Sequence, residues 1–325
     1  MKAIVYEGFG SPDILRCPDL EKPAPREDEI LIKVRAASIN PLDWKLMKGG
    51  PLLVRMLLGL GKPKIRRPGV DVAGEVEATG KNVSEFQPGD EVFGTCVGTF
   101  AEYATSAAAF GIKSALVKKP ETVSFEQAAS APVAGLTALQ GLRDKGRIQP
   151  GQTVLINGAA GGVGTFAVQI AKLFGAQVTG VCSTGSIDMV RSIGADRVID
   201  YTQDDFTSSS ERYDIILDCV GNRSLSACRR ILKPKGILVL VGAPDRAISI
   251  ITRTLGALVG SWFGNKKMVF FIARMNKADL AALGDFMAAG NVTPVIDKRY
   301  RLTEATEAFR YMEKGHARGK VLITV

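Results

Sequence analysis

The chain has 325 residues, of which 46% are hydrophobic and 23% charged, with a net charge of +9. That balance suits a globular protein of two domains and excludes a disordered or low-complexity chain. No apolar run reaches membrane-spanning length without a charge, and the basic excess comes with no nucleic-acid motif. The stretch MKAIVYEGFGSPDIL holds no apolar run of the secretory kind, so a cytoplasmic location is expected. Five cysteines (17, 96, 182, 219, 228) form no CxxC pair and are odd in number. They read as free thiols in a reducing compartment.

The first ~120 residues read as β-rich. Glu29 to Ala36 (EILIKVRA) alternates apolar and charged residues, as a half-buried strand does. Val70 to Ala78 and Glu91 to Gly94 are two more strands, the latter behind the turn signal Pro88-Gly89-Asp90. Between Trp44 and Val70 there is no acid but there are Lys45, Lys48, Arg55, Lys62, Lys64, Arg66 and Arg67. This stretch reads as a solvated loop, or as a surface for a phosphate-bearing cofactor or for weak contact with an anionic membrane.

The pattern changes near Pro120. Ser124 to Leu142 is helical, interrupted by Pro132 and Gly135. Strands are expected at 153–157, 177–182, 197–200, 215–219 and 237–241, with helices at 163–174 and 188–192 between them. Such alternation implies an α/β fold with a doubly wound parallel sheet. A helix at 277–289 and a final strand at 319–325 follow, and that strand is expected to return to the N-terminal domain.

The segment NGAAGGVGTFAVQIAK (157–172) places Gly158, Gly161, Gly162 and Gly164 between a strand and a helix. Glycine there permits a tight turn and close approach of the backbone to a pyrophosphate, while the helix N-terminus offers free N–H groups. Ala160, Gly161, Gly162 and Val163 are therefore the expected phosphate contacts of a dinucleotide. The second strand ends in Cys182-Ser183-Thr184-Gly185-Ser186, where NAD-binding sheets usually carry an acid. With hydroxyls there instead, and Arg191 further on, NADP(H) is expected. Ser183, Thr184 and Ser186 are the candidate 2′-phosphate contacts; Ser186 also reads as a helix N-cap.

With these segments the chain resembles the medium-chain dehydrogenase/reductases, in the zinc-free quinone oxidoreductase branch. The resemblance spans nearly the whole chain and rests on SINPLDWK (38–45), PGVDVAGEV (68–76), FQPGDEVFG (86–94), AGLTAL (134–139), NGAAGGVG (157–164), GADRVIDY (194–201), DCVG (218–221) and HARGKV (316–321). It implies a GroES-like catalytic domain from residues 1–122 and 273–325 and a Rossmann-like NADP-binding domain from 123–272. The nicotinamide would lie in the cleft between them, and the protein would be a homodimer.

The positions matching the zinc ligands of metal-dependent relatives are Asn40, Val70-Asp71 and Ala134, a set unsuited to zinc, so no metal is expected. Without a Lewis acid, a conjugated acceptor is easier to reduce than a simple ketone. The resemblance thus implies hydride transfer to the C=C bond of an α,β-unsaturated carbonyl, or to a quinone. Asn40 would position the substrate carbonyl or the nicotinamide, and Asp43 would order its loop. Thr137 would approach the nicotinamide, or bond its own helix backbone. Met47 to Arg55 lacks the tyrosine donor of some enoyl-reducing relatives, which leaves water to supply the proton. Tyr201, Cys219, Val220, Val241, Gly242, Ala243 and Lys320 are the remaining implied cofactor contacts. Leu52, Leu53, Met56–Leu58, Leu60 and the apolar segment 248–271 suggest a small apolar enone or quinone, or else packing. Two other readings stay open: a zinc-free alcohol or aldehyde dehydrogenase, and a membrane-surface nucleotide-binding protein with little turnover.

Overall fold

The structure, a computed structural model, describes residues 1–49, 66–106, 114–241 and 265–325. The chain clusters into two compact units. The first comprises Met1–Leu136, Met275–Gly290 and Pro294–Val325; the second comprises Thr137–Arg274 and Asn291–Thr293.

The first unit is built on an extended sheet. Its strands are β1 (Ile30–Ile39), β2 (Asp71–Thr79), β3 (Glu91–Thr95), β4 (Tyr103–Thr105), β5 (Ala115–Lys118), β12 (Ile296–Arg301) and β13 (Lys320–Thr324). The order is β12-β13-β1-β2-β3-β5, with β4 also paired to β1. The final strand does return to this unit, running antiparallel to β1 with Ser38 opposite Leu322. Ile30, Ile32, Val34, Val72, Val76 and Leu116 share one buried cluster. Ile4, Tyr6, Phe100, Phe309 and Ile323 share another. Burial of each such side chain is worth about 1.5–3 kcal/mol. Helix α2 (Phe125–Ser130) packs on β1 and β2 within this unit.

Helix α1 (Pro41–Lys48) leaves the end of β1. Proline at its first position suits an N-terminus, where the missing N–H would have no partner. Gly49, at φ 73°, closes it in the left-handed conformation. Helix α3 (Pro132–Gln140) follows α2. The helical stretch expected over 124–142 does break at Pro132, which cannot donate a backbone hydrogen bond, but runs on through Gly135.

In the second unit six strands run parallel: β6 (Thr153–Asn157), β7 (Gln177–Cys182), β8 (Arg197–Asp200), β9 (Tyr213–Asp218), β10 (Leu232–Leu240) and β11 (Lys267–Phe270). Their order is β11-β10-β9-β6-β7-β8. The chain starts in the middle at β6, builds outward to β8, then returns to β9 on the other side. Beyond the carboxyl ends of β6 and β9 the order reverses, which is where open α/β sheets bind ligands. Two glutamines pin the segments that enter and leave this unit. Gln140 Nε2 donates to Arg274 O at 2.8 Å, and Arg274 N donates back to Gln140 Oε1 at 2.9 Å. Gln169 does the same with Thr293, at 3.0 and 2.7 Å. No helix among the described residues is long and apolar enough to cross a membrane.

Candidate active site

A buried polar cluster forms where β1 meets α1. Asp71, at the start of β2, is fully buried. Its Oδ2 accepts from Ser38 Oγ at 2.6 Å, Asn40 Nδ2 at 2.8 Å and Lys320 Nζ at 3.3 Å. Its Oδ1 accepts from Val133 N at 3.0 Å, in the first turn of α3. Lys320, at the start of β13 and buried, donates a shorter bond of 2.7 Å to Asn40 Oδ1. One carboxylate thus ties β1, α1, α3 and β13 together.

Asp43 lies beside this cluster and is also buried. Its Oδ2 accepts from Asn40 N at 2.8 Å and its Oδ1 from Gly69 N at 3.2 Å. Burial pushes the Asp43 carboxyl up to about 7, and the nearby Asp71 charge pushes the same way; the two amides and Lys320 oppose them. Asp43 thereby joins the backbone at Asn40 to the backbone at Gly69. Thr137 is buried on α3.

In the second unit, the loop after β6 turns through Gly158 at φ 85° into α4 (Gly162–Leu173). A Cβ at Gly164 would come within 2.0 Å of Gly158 O, so helix and loop touch backbone to backbone. Gly161 differs: a Cβ there would meet nothing closer than Gly158 O at 3.4 Å. Ala160, Gly161, Gly162 and Val163 are partly exposed around this opening. The first amides of α4 have no intrahelical acceptor and carry the positive end of its dipole. Buried Asp218 at the end of β9 supports the neighbouring loop, its Oδ1 accepting from Asn157 Nδ2, Val220 N and Gly221 N at 2.8, 3.2 and 2.8 Å. These residues fit a dinucleotide, since an open cradle lined by donors meets the backbone approach that a pyrophosphate requires.

Comparison with known proteins gives matches over the whole chain. The alcohol dehydrogenase GroES-like domain family matches residues 26–121, and the zinc-binding dehydrogenase family matches residues 193–323. The chloroplastic quinone-oxidoreductase QR1 of Triphysaria versicolor is 33% identical, over 99% of this chain and 98% of its own length. The chain belongs to the medium-chain dehydrogenase/reductase family, in its quinone oxidoreductase branch. A further relative is the chloroplastic NADPH-dependent alkenal/one oxidoreductase of Arabidopsis thaliana, 31% identical over 99% of this chain and 79% of its own. Among solved structures, the quinone oxidoreductase from Coxiella burnetii superposes with a TM-score of 0.87 at 32% identity, covering 100% of this chain and 99% of that one. This medium-chain dehydrogenase/reductase is therefore an oxidoreductase with the Rossmann and GroES-like architecture expected of the branch.

A matched region described as zinc-binding raises the question of a metal, and the residues around Asn40 answer it. Val70 and Ala134 are apolar and buried, Asp71 is saturated by four donors, and Lys320 already brings a positive charge. This set lacks thiolate and imidazole and does not fit zinc. No group of three His, Cys, Asp or Glu able to hold a metal occurs among the described residues.

Two of this family member's candidate site residues have partners within the chain. Lys320 is engaged by Asn40 and Asp71 in the first unit. Thr184 is not a free hydroxyl: its Oγ1 donates to Asp200 Oδ2 at 2.5 Å and meets Thr202 Oγ1 at 3.0 Å. The segment 182–186 carries no acid, but Asp200, at the end of the next strand, brings one alongside. Hydrogen bonds from Thr184 and Thr202 hold Asp200 below the usual carboxylate range, so it is charged at neutral pH.

Ser183 is partly exposed beside Thr184 and Tyr201 is 43% exposed, whereas Ser186 is buried. Cys219, partly exposed, and Val220, exposed, border Gly158, and Val241 N donates to Asp218 O at 3.0 Å. Gly242 and Ala243 lie outside the described residues, as do Leu52, Leu53, Met56–Leu58, Leu60 and most of 248–271. The Asp71–Lys320 pair was missed from the sequence. An acid at a strand start and a lysine 249 positions later give no local signal.

Proposed function

We propose that this chain is an NADPH-dependent reductase of α,β-unsaturated carbonyls or quinones that needs no metal. The buried Asn40–Asp71–Lys320 cluster carries the reading. At the positions that match the zinc ligands of metal-dependent relatives this chain has Asn40, Val70-Asp71 and Ala134; the Asp71 carboxylate is saturated, and the Lys320 ammonium lies against it and Asn40. Such a site offers hydrogen-bond donation and no Lewis acid, which suffices where negative charge is spread along a conjugated system. The cofactor's chemistry is hydride donation to the β-carbon of the acceptor.

The chain's own part is to bind and orient. Gly161, Gly162 and Val163 seat the pyrophosphate at the N-terminus of α4. Ser183, Tyr201 and Arg191 are the groups left for a 2′-phosphate once Thr184 is committed to Asp200. Asn40 holds the acceptor's carbonyl oxygen, and Asp43 keeps Asn40 in place through its backbone. Met47 to Arg55 holds no tyrosine, and on this reading water supplies the proton that completes enone reduction. The reading includes two domains divided near 122 and 273, a homodimer and a cytoplasmic location. Free thiols at all five cysteines support a reducing compartment.

NADPH oxidation by chelator-treated protein with a medium-chain alkyl vinyl ketone tests the proposal. A saturated ketone, formed faster with NADPH than with NADH, is the expected product. Tight NADPH binding without turnover of either enones or quinones would overturn it.

A further inference from the structure

The Asn40 amide lies between two opposite charges brought from distant parts of the chain. Its Oδ1 accepts from Lys320 Nζ at 2.7 Å, and its Nδ2 donates to Asp71 Oδ2 at 2.8 Å. Ammonium and carboxylate also face each other at 3.3 Å. Asn40 is 2% exposed, Asp71 0% and Lys320 3%. A buried ion pair is a weak device for stability alone, because desolvation offsets much of its attraction. It is a strong device for orientation. An amide carries an acceptor at one end and donors at the other. Turned by half a revolution, Asn40 would set its NH2 against an ammonium and its oxygen against a carboxylate. Both contacts would be repulsive in a site that excludes water.

We propose that Lys320 and Asp71 are positioning residues that lock the Asn40 amide in one orientation. One Nδ2 hydrogen is held by Asp71. The other has Ser38 O at 3.5 Å, the outer limit of a hydrogen bond. That second hydrogen, the more weakly held of the two, is the one the reductase reading offers to the acceptor's carbonyl oxygen. The role of this donor rests on the reductase reading; the lock itself does not. Removing the ammonium alone would leave Asp71 buried and unpaired, so the informative variant removes both charges together.

The test compares wild type with the Asp71→Asn/Lys320→Met double variant, which is neutral at both positions. Side-chain amide signals of Asn40 are followed by NMR in the cofactor-free protein, and kcat and KM are measured with NADPH and an alkyl vinyl ketone. The expected result is a protected Asn40 NH2 in wild type and faster hydrogen exchange in the variant. In the variant kcat falls by ~100-fold, the order of loss for a misplaced group, while KM for NADPH stays near wild type. The thermal midpoint falls, since Asp71→Asn turns an NH2 toward one set of the donors that Asp71 accepts from, but the protein remains folded at the assay temperature. An unchanged Asn40 exchange rate, or a wild-type kcat in the double variant, overturns the lock. If wild type itself reduces neither enones nor quinones, the reductase reading falls, and the exchange rates alone then decide whether Lys320 and Asp71 hold the amide.

Discussion

Asp43 staples Gly69 to the start of α1: one carboxylate oxygen takes the Gly69 amide at 3.2 Å and the other takes the Asn40 amide at 2.8 Å. Gly69 sits at φ 101°, where a Cβ would strike Thr99 Oγ1 at 2.3 Å and Phe100 N at 2.8 Å. Both ends of the staple are therefore fixed, one by backbone geometry and one by a buried acid.

The protonation of that acid gives a pH dependence. The Asp43 carboxyl rises from 3.8 to about 7 on folding, so between these values the folded chain binds more protons than the unfolded one. The contribution is full below about 4 and is lost as pH rises through about 7, on the order of a few kcal/mol. Thermal midpoints across pH 4 to 8 should show this downward slope. Asp43→Asn should flatten it, at a lower stability throughout, because an amide oxygen cannot accept from both peptides. An unchanged slope in the variant would assign the titration to another group.

Two glycines of the phosphate loop should respond in opposite ways. Gly164→Ala forces a Cβ to within 2.0 Å of Gly158 O and should cost ~3 kcal/mol or more in urea unfolding. Gly161→Ala has room within the protein and should fold with a near-normal midpoint. It fills the cradle, however, and should weaken NADPH at least ~10-fold, or ~1.4 kcal/mol. Undiminished NADPH affinity in Gly161→Ala would remove the pyrophosphate from this loop.

Cofactor choice should turn on the charge at the ends of β7 and β8. Ser183→Asp adds a second carboxylate beside Asp200 and should weaken NADPH far more than NADH. Asp200→Asn removes the existing one and should shift the ratio of the two affinities toward NADPH. Fluorescence titration reads both, and equal losses for both cofactors in Ser183→Asp would sink the 2′-phosphate assignment.

Asp218→Ala should damage stability and cofactor affinity together. It strips one acceptor from Asn157 Nδ2, Val220 N and Gly221 N at once; Asn157 Nδ2 keeps Asn222 Oδ1 at 3.0 Å and Val220 is exposed, so the loss should be on the order of 1–3 kcal/mol in all. The same loop borders Gly158, so NADPH should bind more weakly as well. Differential scanning calorimetry with and without NADPH separates the two effects.

Where local pattern decides structure, the sequence was readable. Strands 153–157, 177–182 and 197–200 have the expected bounds, because each is a short apolar run between turn residues. Strand β10 starts earlier than expected, at Leu232, since its Pro234-Lys235-Gly236 interruption reads as a turn. The register shift between Leu232 and Ile237, with Lys235 at φ 64°, shows the strand carrying that irregularity within it. The helix Ala305–Glu313 is absent from the sequence reading, although its buried Ala305, Ala308 and Phe309 follow helical spacing. Strand β12 has no alternation to read, being held by pairing to β13. Asn40, Asp43 and the glycine loop were legible through motifs. The partners that set their chemistry, Lys320 for Asn40 and Asp200 for Thr184, were not, because tertiary proximity leaves no trace in local spacing.

The place of β13 between β12 and β1 bears on how the protein is made. Strand β1 and Asp71 are synthesised early, but their partner Lys320 follows every strand of the parallel sheet. The second unit, nearly continuous from 137 to 274, has all its strands on hand while the first sheet still lacks an inner member. Nascent chains should accordingly mature from the middle outward: the nucleotide-binding sheet closes first, and the Asp71 carboxylate stays hydrated until residues 320–324 emerge and dock.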